Sequence, residues 1–263
     1  MKITSLYSGS SGNCILFEHN DCNILIDSGM PAVRILSMLD AAGVDPHKID
    51  ALLITHEHDD HISGAGVIAR KLDLPLYFNM KTYEASKRKL GKINEDKIHI
   101  FETGKCFLLK DIEIMPFETS HDAAEPVGYT FTDGITKAAV ATDTGILTEQ
   151  MKKNLLGCKS VFLESNHDVD MLLNGSYPIY LKERILGEYG HLSNETAANF
   201  CVELIEHGTE HLGLGHLSKE NNSPLSALNT TVRRLNENKI RLNNDYTIIV
   251  ARRDEISETL LCI

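Results

Sequence analysis

The pattern of the chain predicts an α/β protein built from two β-sheets flanked by helices, rather than one doubly wound sheet. Two β-rich runs come early, 12–18 and 22–27, joined by His19-Asn20-Asp21 in the manner of a hairpin. Downstream, strand-like and helix-like stretches alternate without a linker, a low-complexity tract or a charge block. Of the 263 residues 42% are apolar, enough for the core of one large domain or two small ones.

The elements follow in order. Pro31 in a first helical turn and Gly43 as a stop bracket a helix whose apolar face is Val33, Ile35, Leu36, Leu39 and Ala42. Residues 49–55 form a buried strand, 61–73 a helix, 75–79 a short strand and 81–91 a basic helix. The runs 98–101, 106–109, 112–117 and 128–132 read as antiparallel strands. Residues 138–142 and 160–164 are buried strands, with a helix ending at Gly157 between them. Residues 209–214 and 246–251 add two more strands. Gly190-His-Leu-Ser193 recurs as Gly215-His-Leu-Ser218, and a helical pattern follows each copy. Two copies are too few for a repeat architecture, so these are two loops that each offer a histidine at a helix start. Ser193 is placed to cap a helix with Ala197, Ala198, Cys201, Val202 and Ile205 on its apolar face.

Bulk composition excludes several classes. No run reaches the roughly 18 apolar residues of a membrane span, and the N-terminal residues lack a signal-peptide pattern. Six scattered cysteines without C-x-x-C point to reduced thiols and a cytoplasmic protein. A formal charge of −11 argues against a general nucleic-acid coat protein. It does not exclude a nuclease, because bound cations add positive charge that the formal count ignores. Two basic groups, Lys81, Lys87, Arg88, Lys89, Lys92 and Lys97, then Arg233, Arg234, Lys239 and Arg241, read as solvated helix faces, with local phosphate contact as the alternative.

The chemistry concentrates at the end of the 49–55 strand. Thr55-His-Glu-His-Asp-Asp-His61 puts three imidazoles and three carboxylates into seven residues. Such donors suit zinc, manganese or iron. Residues two apart on a loop can point the same way, so His56 and His58 can grip one ion, and Asp60 and His61 a second. Later strand ends supply the remaining donors: His121, Asp143 and His216, with the carboxylate of Asp143 suited to bridging two cations.

The heptad is similar to the T-H-x-H-x-D-H signature of the metallo-β-lactamase-fold hydrolases. The order Asp27, His56/His58/Asp60/His61, His121, Asp143, His216 resembles that family's motif series. Four further stretches resemble its YycJ (WalJ) subfamily: Ser8-Gly-Ser-Ser-Gly-Asn-Cys14, Glu164-Ser-Asn-His-Asp168, Gly190-His-Leu-Ser-Asn194 and Leu214 to Asn222. The resemblance implies a single hydrolase domain over residues 1–263, folded as a four-layer αβ/βα sandwich. It implies two divalent metal ions, one on His56, His58 and His121, the other on Asp60, His61 and His216, with Asp143 between them. Asp27 would orient the ligand loop. Phosphodiesterases of this fold, such as ribonuclease Z and PhnP, place a non-ligand histidine near the leaving group. His191 matches that position, and Glu164 would be its acidic partner. Ser10 and Asn13 in the glycine-rich loop, with Asn166 and His167, are candidate substrate contacts.

The resulting expectation is a metal-dependent phosphodiesterase acting on nucleic acid, as a DNA exonuclease, with no membrane partner. Three alternatives remain at this stage: a phosphodiesterase for small cyclic substrates, a thioester hydrolase like glyoxalase II or a lactamase, and a non-catalytic metal-stabilised module. The residues leave the metal's identity, strand polarity and oligomeric state open.

Overall fold

The computed structural model describes residues 1–262. Its strands are β1 (Lys2–Tyr7), β2 (Cys14–His19), β3 (Cys22–Ile26), β4 (Ala51–Leu53), β5 (Leu76–Asn79), β6 (Ile98–Phe101), β7 (Phe107–Leu109), β8 (Ile112–Glu118), β9 (Val127–Thr132), β10 (Lys137–Ala141), β11 (Ser160–Glu164), β12 (His211–Gly215), β13 (Thr247–Val250) and β14 (Leu260–Leu261). Its helices are α1 (Ala32–Ala41), α2 (Asp59–Ile62), α3 (Ala65–Leu72), α4 (Met80–Leu90), α5 (Glu149–Leu155), α6 (Val169–Asn174), α7 (Ile179–Leu186), α8 (Asn194–Glu206) and α9 (Pro224–Glu237).

The strands form two seven-stranded sheets, ordered β14-β1-β2-β3-β4-β5-β6 and β13-β12-β11-β10-β9-β8-β7. Each sheet is mixed. In the first, β1, β2 and β3 run antiparallel and β3 to β6 parallel. In the second, β10 to β13 run parallel and β7 to β10 antiparallel.

Side-chain alternation explains the layering, because successive residues of a strand face opposite sides. Phe17, Ile24 and Ile26 of the first sheet meet Ile114, Tyr129, Phe131 and Val140 of the second in a shared central core. Phe17 stacks on Phe131 with ring centroids 4.2 Å apart, and burying such a ring contributes about 1.5–3 kcal/mol. Their neighbours in sequence point outward: Leu16 and Leu25 pack against Ile35 and Leu39 of α1 and Ile68 of α3. On the far side, Leu163, Leu212 and Leu214 pack against Phe200, Cys201 and Leu204 of α8 and Leu235 of α9. The order helix, sheet, sheet, helix is the expected αβ/βα sandwich. Among the described residues no helix is long and apolar enough to cross a membrane.

Local signals hold at several elements. The β2–β3 hairpin pairs His19 with Cys22 across Asn20-Asp21, and Asn20 takes the positive φ of 48° that such a tight turn requires. Ser193 caps α8 by accepting a hydrogen bond from the backbone N–H of Thr196.

Three expectations change. The strand at 98–101 is not part of an antiparallel run: β6 pairs parallel with β5 in the first sheet, and the Glu102–Lys105 turn carries the chain across to the second. Val33 is 75% exposed rather than on the packed face of α1. The helix expected over 61–73 is broken at Ser63-Gly64, where the Gly64 N–H leaves the helix to bond the Ser28 carbonyl. A Cβ at Gly64 would lie 1.9 Å from the Met30 carbonyl oxygen, so only glycine permits that approach.

Candidate metal centre and catalytic cleft

Parallel strands bring chemistry-bearing residues to one edge, because their C-terminal ends lie side by side. In the second sheet β10, β11 and β12 are adjacent and parallel. Asp143 follows β10, Glu164 ends β11 and His216 follows β12. In the first sheet β3 and β4 are adjacent and parallel, so Asp27 and Thr55 sit together. Asp27, Asp143 and His216 all turn through the left-handed region at their strand ends, with φ of 62°, 55° and 56°.

The ligand turn 56–61 is laced into place. Asn13 N–H donates to the Asp60 carbonyl and Ser28 N–H to that of His61, each at 2.7 Å. Gly29 allows the crossing: a Cβ there would lie 1.6 Å from the Asp60 carbonyl oxygen.

Four groupings of donor atoms, each able to hold an ion, meet at this edge: His56, His58 and His121; Asp60, His61 and His216; His56, His61 and Asp143; and Asp143, Glu164, His191 and His216. His58 Nδ1 lies 3.3 Å from His121 Nε2. Asp60 Oδ2 lies 3.6 Å from Nε2 of both His61 and His216. Asp143 stands between the sets, Oδ2 at 3.2 Å from His61 Nε2 and Oδ1 at 3.7 Å from His121 Nε2 and 3.5 Å from His216 Nε2. The seven residues expected as ligands are therefore one cluster.

Whether these rings suit a metal depends on their tautomers. Carboxylate and carbonyl oxygens only accept, so any ring nitrogen against one must donate. His61 Nδ1 donates to Asp27 at 2.7 Å, His216 Nδ1 to Glu164 at 2.8 Å, His121 Nδ1 to the Gly190 carbonyl at 3.1 Å and His58 Nε2 to the Asp122 carbonyl at 3.2 Å. Thr55 Oγ1 gives its hydrogen to Asp27, so it accepts from His56 Nδ1 at 2.9 Å. Each of the five rings thus turns its second nitrogen towards the cluster, where that of His61 also meets Asn13 Nδ2 at 3.0 Å. Nε2 of His56 and of His216 and Oδ2 of Asp143 are buried without a hydrogen-bond partner among the described residues. Buried polar atoms left in this way suit a cation. The donor set fits a divalent metal.

Electrostatics agree. Burial opposes charge on His61, but Asp143, Asp27 and Asp60 outweigh it and hold its pKa well above the usual value. His216 behaves alike: burial is overcome by Asp143, Asp60 and Glu164, and its pKa rises to about 10. His56, dominated by burial with His61 adding to it, falls well below. A field that favours imidazolium at two rings also favours divalent cations there.

Glu164 makes a different set of contacts. Oε1 accepts from Nδ1 of both His191 and His216, and Oε2 accepts from the backbone N–H groups of Thr144 and Leu192. Four N–H groups therefore occupy this buried carboxylate. Burial would raise its pKa, yet His191 and His216 bring it down to about 2. His191 belongs only to the grouping that includes Glu164, and it lines the cleft.

The cleft, about 240 Å³, is lined by His58, Asp60, His121, Asp143, His191 and His216 together with Ser10, Asn166, Ser218, Tyr177, Leu181, Arg184 and Ile185. Ser10 and Asn166 therefore reach the cleft wall. Asn13 does not: its Oδ1 accepts from the Gly9 N–H, and its Nδ2 lies against the donor cluster itself, 3.0 Å from His61 Nε2. His167 does not either. Its ring is buried, and burial lowers its pKa to about 4. Asn166 has a second task, since its N–H bonds the Leu192 carbonyl and its Nδ2 the His216 carbonyl, tying the two Gly-His-Leu-Ser loops together.

The basic group on α4 is largely neutralised locally. Lys81, Lys87, Lys89 and Lys97 pair with Glu125, Glu84, Asp59 and Asp73, which favours the solvated-face reading. Asp122 and Arg184 escaped the sequence reading. Asp122 is legible only as the neighbour of His121, and Arg184 has no local signal, because its partner is 62 positions away.

Residues 7–160 match the family model described as the Metallo-beta-lactamase superfamily, and the chain belongs to that superfamily. Within it, the chain belongs with the WalJ/YycJ proteins. It is 40% identical over 249 residues to Exodeoxyribonuclease WalJ of Streptococcus pneumoniae serotype 2 (strain D39 / NCTC 7466), covering 94% of this chain and 93% of that one. It is 42% identical over 222 residues to Exodeoxyribonuclease YycJ of Bacillus anthracis, covering 84% of each. The crystal structure of the metallo-β-lactamase fold protein YhfI from Bacillus subtilis aligns with a TM-score of 0.70 over 97% of this chain and 98% of that one. At 17% identity that is a likeness of fold alone.

Proposed function

We propose that the chain acts, as one catalytic domain, as a binuclear metal-dependent phosphodiesterase that degrades DNA from an end. The observation that carries the reading is the pair of imidazoles on one Glu164 oxygen: His216 also groups with Asp60 and His61, whereas His191 groups only with a set that needs Glu164, whose oxygens already accept four N–H groups. Cleaving a phosphodiester expels an alkoxide, which needs a proton, and His191 is a proton donor beside the cluster that is not itself needed as a ligand. The relatives named as exodeoxyribonucleases support DNA as substrate and a chain end as the point of attack. The small cleft suits a terminal nucleotide better than a continuous duplex.

His56, His58 and His121 would hold one ion and Asp60, His61 and His216 the other, with Asp143 shared; zinc, manganese and iron all suit such donors. When bound, such ions acidify water at neutral pH and neutralise charge on phosphate oxygens. Asp143, buried between the triplets, accepts a hydrogen bond from the attacking water and keeps it in line. Glu164 fixes the His191 ring through Nδ1 and balances its charge, so that Nε2 delivers the proton to the leaving oxygen. Ser10 and Asn166 offer polar contacts to the substrate from the cleft wall.

The same cleft volume would admit a small cyclic phosphodiester, and one experiment separates the readings. Chelated protein is restored with zinc, manganese or iron and assayed on linear duplex DNA, closed circular DNA, RNA, a cyclic nucleotide and a thioester. Degradation of linear DNA with circular DNA spared is the expected result. Turnover of the thioester alone, or of nothing, overturns the proposal.

A further inference from the structure

We propose that Arg184 is a clamp for the phosphate next to the scissile one, so that the enzyme grips a DNA end at two successive phosphates. The inference rests on the phosphodiesterase reading above. Among the described residues Arg184 is the single lysine or arginine that lines the cleft, whose wall also carries Asp60 and Asp143. The chain has a formal charge of −11. A polyanion entering such a cleft needs a cation beyond the metal cluster, and Arg184 is the one positioned to supply it.

Its geometry is that of a prepared anion site. Arg184 Nε donates to Asp122 Oδ2 at 2.6 Å and Nη2 to Asp122 Oδ1 at 2.9 Å. A guanidinium has five N–H donors in a rigid plane, so this fork uses two and leaves three, both of those on Nη1 included. Asp122 offsets part of the charge, as the carboxylates beside α4 do, but it leaves three donors of the plane free and holds the plane still, and ordering the side chain in advance lowers the entropy lost on binding. The Asp122 carbonyl in turn accepts from His58 Nε2 at 3.2 Å, which ties the guanidinium to the ligand cluster. Leu181 and Ile185, on α7 with Arg184, and Tyr177, just before that helix, line the same cleft. An apolar wall beside an unused cationic edge fits a nucleotide unit, with sugar and base on the wall and phosphate on the arginine. A bare inorganic anion would not need the wall.

The test measures kcat/KM on linear duplex DNA as a function of salt for wild type, Arg184→Ala, Arg184→Lys and Arg233→Ala, with the metal content of each. Arg184→Ala should lower kcat/KM about tenfold through KM, and flatten the slope of log kcat/KM against log salt by about 0.7 to 0.9, the loss of one phosphate contact. Arg184→Lys should restore the slope but not the full affinity, because a point charge replaces the fork. Arg233→Ala, a single charge lost from α9, should leave both at wild-type values. The clamp is overturned if Arg184→Ala matches wild type, if Arg233→Ala has the same effect, or if Arg184→Ala loses metal. Wild-type turnover of bis(p-nitrophenyl) phosphate, a diester with no second phosphate, tests the underlying reading separately. Its absence removes the phosphodiesterase, whereas its presence with an unaltered Arg184→Ala removes only the clamp.

Discussion

His191 and His216 are held by one atom. Nδ1 of each lies 2.8 Å from Oε1 of Glu164, so a ring in the ligand cluster and a ring beside it take their orientation from the same buried oxygen. If the chain is the proposed phosphodiesterase, the two rings have separable duties.

Replacing His191 by alanine removes the proton donor and leaves the ligand triplets intact. DNA cleavage should fall by about two to four orders of magnitude, while metal content, measured by elemental analysis, stays at the wild-type value. Loss of an ion would reassign His191 as a ligand.

Glu164→Gln should be more damaging than its neutral, isosteric character suggests. An amide oxygen still accepts, but the amide nitrogen would face the Thr144 and Leu192 N–H groups that Oε2 now accepts. Two buried donors would then lack partners, at about 1–3 kcal/mol each. The expected result is a fall in both thermal stability and metal affinity, read by calorimetry and metal titration. A variant with full metal affinity and normal stability would contradict the orienting role.

In chelated protein the stabilising contributions of Glu164 and His216 should both be present between about pH 4.5 and 6.5. The Glu164 pKa is depressed from 4.5 to about 2, so its contribution is present above 4.5 and is lost as pH falls towards 2. The His216 pKa is raised from 6.5 to about 10, so its contribution is present below 6.5 and is lost as pH rises towards 10. Unfolding midpoints across pH 2–10 check both flanks, and in Glu164→Gln the acid flank should flatten.

Gly29→Ala should disable the site from a distance. The added carbon would sit 1.6 Å from the Asp60 carbonyl oxygen, and neither backbone can yield without moving the ligand turn. A stability loss of about 3 kcal/mol or less is expected from overpacking, with reduced metal content as the specific signature. Full metal occupancy in a folded variant would mean that the turn is freer than the packing indicates.

Much of the site was legible in the chain because its residues follow apolar strands. The heptad after 49–55, Asp143 after its alanine-rich strand and His216 after its own announce themselves where buried runs stop. The outer layer was less visible. Thr55, the Gly190 carbonyl and Asp122 orient rings through contacts between segments far apart in sequence, and hydrogen bonds of that kind leave no periodicity. The strand at 98–101 was misplaced for a related reason, since a short turn before the next strand looks like a hairpin whether the chain folds back or crosses to the other sheet. Lys2–Tyr7 and Leu260–Leu261 went unrecognised because they are short or mixed in polarity, and their identity as strands comes from pairing with each other and with β2.

The left-handed backbone at Asp27, Asp143 and His216 carries a general consequence. Side chains other than glycine, asparagine and aspartate resist that conformation, and held residues of this kind cost about 1–3 kcal/mol each. His216 therefore sits where the polypeptide, left to its own preferences, would place a glycine. If His216 is a metal ligand, the backbone strain at that position is the cost of presenting its donor atom. Selection for thermostability and selection for turnover would pull position 216 in opposite directions.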